Sequence, residues 1–95
     1  MSMSLAIVQV EERFYTLEQA TETTQLPLHL LEWLIAQGLI ELENQCLAPQ
    51  QMRRLVQMRR LHHDLGINWI GAAMVLDMAQ EIAQLKAQLR VYRGF

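Results

Sequence analysis

The stretch TQLPLHLLEWLIAQGLIEL, residues 24–42, decides the fold of this chain. Pro27 fixes a φ angle suited to a first helical position, and Gly38 tolerates the left-handed conformation that ends a helix. Between them, apolar residues recur at helical spacing, so we predict a short helix here. The apolar stripe consists of Leu28, Leu31, Trp33, Leu34 and Ile35. The stretch contains no lysine or arginine, which bears directly on what the helix can bind.

Size and composition predict one mainly α-helical domain spanning residues 1–95. Apolar residues make up 52% of the chain and charged residues 19%, whereas a disordered chain shows the opposite balance. The sequence shows neither a secretory leader nor an apolar run long enough for a membrane span, so we expect a cytoplasmic protein. Cys46 is the single cysteine and is expected to pack as a small apolar residue.

Three further elements are predicted on either side of this helix. Thr16 and Gln19 have capping-box spacing, which indicates a preceding helix from about Leu17 that a Thr23-Thr24 turn interrupts. Residues 39–47 alternate apolar and polar side chains around an Asn-Gln pair, so we predict a small β-hairpin, or wing. The segment SLAIVQV, residues 4–10, is predicted to be a strand or an extended arm.

The second half of the chain predicts two longer helices. Pro49 begins the first and Gly66 ends it, while Asn68 can cap a last helix that runs from Trp69 towards Arg93. Trp69 is expected to wedge between these helices. The apolar stripe of the first of them is Met52, Leu55, Met58, Leu61 and Leu65.

The last helix has a seam of apolar residues spaced alternately by three and four positions, as in a coiled coil. Such a seam needs an apolar partner, which is either the same helix of a second chain or the chain's own third helix. We predict a homodimer. The seam residues are Val75, Met78, Ile82, Leu85, Leu89 and Tyr92.

The net charge of the chain is only −2, but acidic and basic residues are distributed unevenly along it. Residues 14–52 carry glutamates and no cation, namely Glu18, Glu22, Glu32, Glu41 and Glu43. The third helix then carries a basic set, Arg53, Arg54, Arg59 and Arg60. These arginines form either an ordinary solvated helix face or a docking face for nucleic acid or an acidic protein.

No catalytic, metal or cofactor site is predicted. His62 and His63 are adjacent on a helix and therefore point about 100° apart, which prevents them from chelating one ion from one face. His29 lies far away in sequence, and Cys46 has no basic neighbour to activate it. We therefore expect a binding protein and not an enzyme.

The order of helix, helix, wing, helix and long dimerisation helix resembles the MerR-like winged helix-turn-helix family. FYTLEQATETTQLPLHLLEWLIAQGLI is similar to that family's opening helix pair, and LAPQQMRRLVQMRRLHHDLGINWIGAAMVL is similar to its next pair. The resemblance divides the chain into residues 14–66 and a long helix over residues 68–93. It implies a DNA-binding transcriptional regulator, but an acidic helix without cations would be repelled by phosphates.

A narrower resemblance is to the CbpM-type chaperone modulators, and LHHDLGINWIGAAMVLDM carries most of it. It implies binding to the J-domain of a DnaJ/CbpA-like co-chaperone and inhibition of that co-chaperone's stimulation of Hsp70. The resemblance also implies that J-domains of this kind present a basic helix, which suits an acidic surface. The expected contact residues are Glu18, Glu22, Leu28, Glu32 and Trp33, with Glu41 and Glu43 joining them. Two alternatives stay open: Trp33 as a core residue, and a basic contact face on the third helix.

Overall fold

The computed structural model describes residues 9–94, and its regular structure is four α-helices. They are α1 (Leu17–Thr24), α2 (Leu28–Ala36), α3 (Pro49–Leu65) and α4 (Trp69–Arg93). The predicted N-terminal strand, residues 4–10, lies almost wholly outside the described residues. None of the described helices combines the length and apolar character needed to cross a bilayer.

Helix α1 begins at the predicted capping box. The backbone N–H of Gln19 donates to Thr16 Oγ1 over 3.1 Å, and the backbone N–H of Thr16 donates to Gln19 Oε1 over 3.0 Å. The predicted break at Thr23-Thr24 was one residue early, because α1 ends at Thr24 and Gln25 adopts the left-handed conformation. The buried hydroxyl of Thr24 donates to the carbonyl oxygen of Ala20 over 2.7 Å, so this polar group is satisfied inside the helix.

Helix α2 has the predicted boundaries to within one residue. Pro27 precedes it in an extended conformation, and the helix begins at Leu28. Gly38 has a φ of 76° after the end of the helix, a conformation that favours glycine. Leu31 and Leu34 are buried, which fixes the side of α2 that faces the core.

The predicted β-hairpin wing is not present as paired strands in the described residues. Asn44 and Gln45 both have positive φ angles, and they form a tight turn closed by an antiparallel bridge between Glu43 and Cys46. The second arm cannot extend, because Leu47 pairs with Tyr15 and α3 begins two residues later. The prediction identified the turn correctly but overestimated the length of its arms.

Helix α3 follows the predicted pattern from Pro49 and ends at Gly66, whose φ is 68°. Its stripe is buried at Met52, Leu55 and Met58 and half-buried at Leu61. Leu65 departs from the prediction because 66% of its surface is exposed.

The corner between α3 and α4 is held by local contacts. Asn68 caps α4 by accepting a hydrogen bond from the Gly71 N–H over 2.7 Å. His62 stacks on Trp69 with ring centroids 4.4 Å apart, which supports the predicted wedge. His62 Nδ1 also lies 2.7 Å from the Ile67 carbonyl oxygen, and this distance identifies Nδ1 as the donor. These contacts fix the direction in which α4 leaves the body.

Replacing His62 with alanine is expected to lower the free energy of unfolding by about 1–2 kcal/mol, because the variant loses both the ring stack and a hydrogen bond. His63→Ala is the matched control, since His63 is exposed and its described polar contact is with its neighbour Asp64 over 3.1 Å. Urea unfolding followed by circular dichroism measures both. Equal destabilisation of the two variants would contradict a structural role for the stack.

One hydrophobic core unites the four helices. Each helix contributes buried residues to it, and Tyr15 reaches it from the segment before α1. The helical members are Ala20, Leu31, Leu34, Met52, Leu55, Met58, Ala72 and Ala73. The core ends at Leu76, in the first third of α4, because every described residue from Asp77 onward is exposed. The second half of α4 therefore projects from the body.

Candidate interaction surfaces

Helix α1 presents two of the predicted acidic residues on one side. Glu18 and Glu22 are four residues apart, which places them on the same helix face, and both are exposed. Ala20 and Thr24 are buried on the other side of the helix. The amphipathic pattern of α1 therefore turns both carboxylates towards solvent.

Helix α2 exposes an aromatic residue and a glutamate on its outer surface. Leu28 and Trp33 are 45% and 40% exposed, and Glu32 lies between them in sequence and is exposed as well. Trp33 is thus at the surface, and Leu31 and Leu34 take the core side of the helix. Because α1 and α2 pack against each other, we define the α1–α2 face as Glu18, Glu22, Leu28, Glu32 and Trp33.

Glu41 and Glu43 lie at a different place, beside the start of α3. They line an open cleft with Ala48, Gln50 and Gln51. The backbone N–H of Glu41 donates to Gln51 Oε1 over 3.0 Å, which ties this segment to α3. The two glutamates are exposed, but their described contacts are with α3 and with the turn.

The cation nearest in sequence to α1 is Arg13, and it is already engaged. Its Nε lies 2.6 Å from Glu11 Oε1, and its guanidinium group lies 4.0 Å above the centre of the Tyr15 ring. The hydrogen bond that Arg13 donates to the Glu11 carboxylate raises the pKa of Arg13. Its Nη1 also donates to Gln19 Oε1 over 3.3 Å, which holds Arg13 at the start of α1.

The four arginines of α3 divide between different environments. Arg53 pairs with Glu12, and Arg54 Nη1 lies 2.8 Å from Asp77 Oδ1 on α4. Arg54 Nε also donates to the Leu39 carbonyl oxygen over 2.7 Å, which ties α2's exit segment to α3. Arg59 is half-buried, and desolvation lowers its pKa, while Arg60 is exposed.

The seam on α4 is uncovered within the chain. Its six residues are 40–80% exposed, from Val75 to Tyr92. Helix α3 packs instead against the side of α4 that carries Ala72, Ala73 and Leu76. Leu76 and Met78 are about 160° apart around a helix, so the seam points away from α3. The chain's own third helix is therefore not the partner of the seam.

Sequence reasoning missed two members of this apolar strip. Ile70 and Met74 are 46% and 57% exposed. They precede Met78 at steps of four residues, so they extend the strip towards the corner of the molecule. That spacing was visible in the sequence, but the side of α4 that faces α3 was not.

The described residues, 9–94, contain no group of three His, Cys, Asp or Glu side chains that could hold a metal ion. Cys46 has a free thiol and is half-buried. It is therefore more exposed than we predicted, because we expected it to pack as a small apolar residue. The cavities lined by described residues are open clefts on the surface.

Comparison with known proteins places these helices in a family. The sequence pattern of the MerR HTH family regulatory proteins matches residues 15–93, which contain all four helices. No curated protein and no solved structure matched the chain. Because the match covers most of the sequence, the chain belongs to the MerR helix-turn-helix family of regulatory proteins.

Proposed function

We propose that this protein is a CbpM-type chaperone modulator, which binds the J-domain of a DnaJ/CbpA-like co-chaperone and inhibits its stimulation of Hsp70. One observation carries the proposal. Leu28 and Trp33 are exposed on a helix whose only charged residue is Glu32, and the neighbouring α1 adds Glu18 and Glu22. This surface combines apolar anchors with negative charge and suits a cationic protein.

The two kinds of side chain have different physical roles in the proposed complex. Buried aromatic and aliphatic anchors provide most of the affinity of an interface, which assigns this part to Trp33 and Leu28. Complementary charges at the rim accelerate association and select the partner, which is the role of the glutamates. A J-domain helix covered in this way would be unavailable to Hsp70, so inhibition would follow from competition.

Glu41 and Glu43 form a second acidic element of the proposed contact. They are exposed beside the cleft at the start of α3, with Leu42 between them 37% exposed. A partner larger than one helix could contact both this element and the α1–α2 face. Glu43→Lys would then weaken binding less than a reversal on the α1–α2 face.

The proposal includes a homodimer formed through the seam of α4. A solvated helix with an exposed apolar strip gains stability when a second strip covers it. Helix α4 has 25 residues, and its second half has no covering element among the described residues. A second copy of the same helix supplies a strip of identical spacing.

DNA binding is the second candidate function, because MerR helix-turn-helix regulators are the family to which the chain belongs. Affinity for DNA comes largely from cations that neutralise phosphates. Helix α2 carries no cation, and Arg53 and Arg54 are paired with carboxylates. Anisotropy with duplex DNA tests this function: micromolar binding that falls steeply with salt would favour it.

The double variant Glu22→Lys/Glu32→Lys tests the proposed contact. We expect its affinity for the purified J-domain to fall roughly tenfold or more at low salt, since two attractive charges become repulsive. Titration at several salt concentrations should also show a reversed salt dependence, because added salt screens attraction in the wild type and repulsion in the variant.

The matched control is Asp64→Lys/Glu81→Lys, which changes the net charge by the same amount. Both residues are exposed and lie outside α1 and α2, on α3 and α4 respectively. The control should bind almost as well as the wild type. If both double variants lose affinity equally, only overall charge matters and the α1–α2 face is not the contact.

A further inference from the structure

A small cleft on α3 combines two cations with an apolar floor. It is lined by Val10, Arg53, Val56, Gln57 and Arg60 and has a volume of about 190 Å³. Val10 is half-buried and packs against the core, and Val56 is 8% exposed, so the two valines form the apolar floor of the cleft. We call this site the α3 cleft.

The two arginines of the α3 cleft are placed to bind carboxylates on either side of that floor. Arg53 and Arg60 are seven residues apart, which places them on one helix face about 10 Å apart along the axis. Arg60 is exposed, and between residues 9 and 94 no carboxylate lies within ion-pair distance of it. A cation with this freedom can take a carboxylate from another molecule.

An ion pair within the chain shows that Arg53 can bind a carboxylate. Glu12 forms an ion pair with Arg53 although the two residues are 41 positions apart in sequence. Glu12 lies in the segment before α1, which the hydrogen bond from the Glu11 N–H to the Tyr15 hydroxyl holds over 2.9 Å. The Glu12 side chain remains 73% exposed, so an incoming carboxylate can displace it.

We propose that the α3 cleft is a docking site for a short acidic segment of a protein partner. In this complex, two carboxylates of the segment bind Arg53 and Arg60, and an apolar side chain between them packs on Val10 and Val56. Glu12 acts as an intramolecular competitor for Arg53. The site lies on α3 and its test is separate from that of the α1–α2 face.

The chemistry of the cleft favours an acidic peptide over a nucleic acid. A phosphate backbone is held by several cations along its length, whereas the cleft offers two. Glu12 lies beside these arginines, and Asp64 follows Arg60 by one turn of α3, so a long polyanion would meet negative charge at the cleft's edges. The apolar floor can pack against an apolar side chain of a peptide, whereas a phosphate backbone has no such group.

Fluorescence anisotropy with a labelled peptide tests the proposal. The probe is a short peptide of glutamates around a central leucine, and its glutamine analogue is the reference. We expect the acidic peptide to bind the full chain and the analogue not to bind. Arg60→Ala should weaken binding roughly five- to tenfold, because it removes one charge-assisted contact. Glu12→Gln should strengthen binding, because Arg53 is released.

Arg90→Ala is the control, since Arg90 is an exposed arginine of α4 outside the cleft. It should leave the affinity for the peptide nearly unchanged. The proposal is overturned if Arg60→Ala and Arg90→Ala have the same effect, or if the glutamine analogue binds as well. Tighter binding of duplex DNA than of the peptide, lost in Arg60→Ala, would assign the cleft to nucleic acid.

Discussion

Replacing Ile82 with aspartate is expected to convert the proposed homodimer into a monomer. Ile82 is central in the seam and 51% exposed in the single chain, so a second helix would cover its side chain. An aspartate in that position would place an unpaired charge in an apolar interface, which costs several kcal/mol per ion. Both chains of the dimer carry the substitution, so this free-energy cost arises twice. We expect it to exceed the stabilisation that one pair of helices provides.

Light scattering coupled to size-exclusion chromatography measures the change directly. The wild type should show twice the mass of one chain, and Ile82→Asp should show the mass of one chain. Gln84→Asp is the control, because it adds the same charge on α4 about 160° away from Ile82 around the helix. A monomeric wild type at high concentration would refute the dimer and leave the exposed seam for another partner.

Replacing Trp33 with alanine is expected to reduce affinity for the J-domain by about 2–4 kcal/mol, the range of a central aromatic hot spot. The ring is 40% exposed, and the preceding residue, Glu32, is exposed as well. Isothermal titration of the purified J-domain against the variant measures the loss. Trp33→Phe should recover part of the affinity, because a smaller ring can still fill much of the same pocket.

Val91→Ala is the control for Trp33→Ala, since Val91 is an exposed apolar residue of α4 outside the α1–α2 face. It should bind the J-domain like the wild type. Circular dichroism must show the same helix content in all three variants. If Trp33→Ala binds normally, its ring is not an anchor and the contact lies elsewhere on the chain.

The two effects should be independent of each other. Helix α1 packs against α2, and α3 packs against α4, so the α1–α2 face and the seam belong to different helix pairs. The free-energy changes of distant mutations usually add. We expect the double variant Trp33→Ala/Ile82→Asp to be monomeric and to have the weak J-domain binding of Trp33→Ala alone, apart from any loss of avidity.

The sequence alone determined where the helices lie and most of their ends. The Thr16–Gln19 capping box, Pro49, Gly66 and Asn68 all mark observed helix boundaries. These signals can be recognised in sequence because each depends on hydrogen bonds or backbone angles within about four residues. The wing was overestimated for the opposite reason, since the pairing of Leu47 with Tyr15 joins distant segments.

Only the tertiary structure decided which surfaces are free. Burial of Leu31 and Leu34 leaves Trp33 at the surface, and packing of α3 on Leu76 leaves the seam uncovered. Arg54 forms an ion pair with Asp77, which is 23 positions away in the sequence, and no local sequence pattern predicts this contact. Exposure and ion pairing depend on how distant helices pack. The sequence therefore determined where this chain is helical, and the packing of its helices decided which residues are available to a partner.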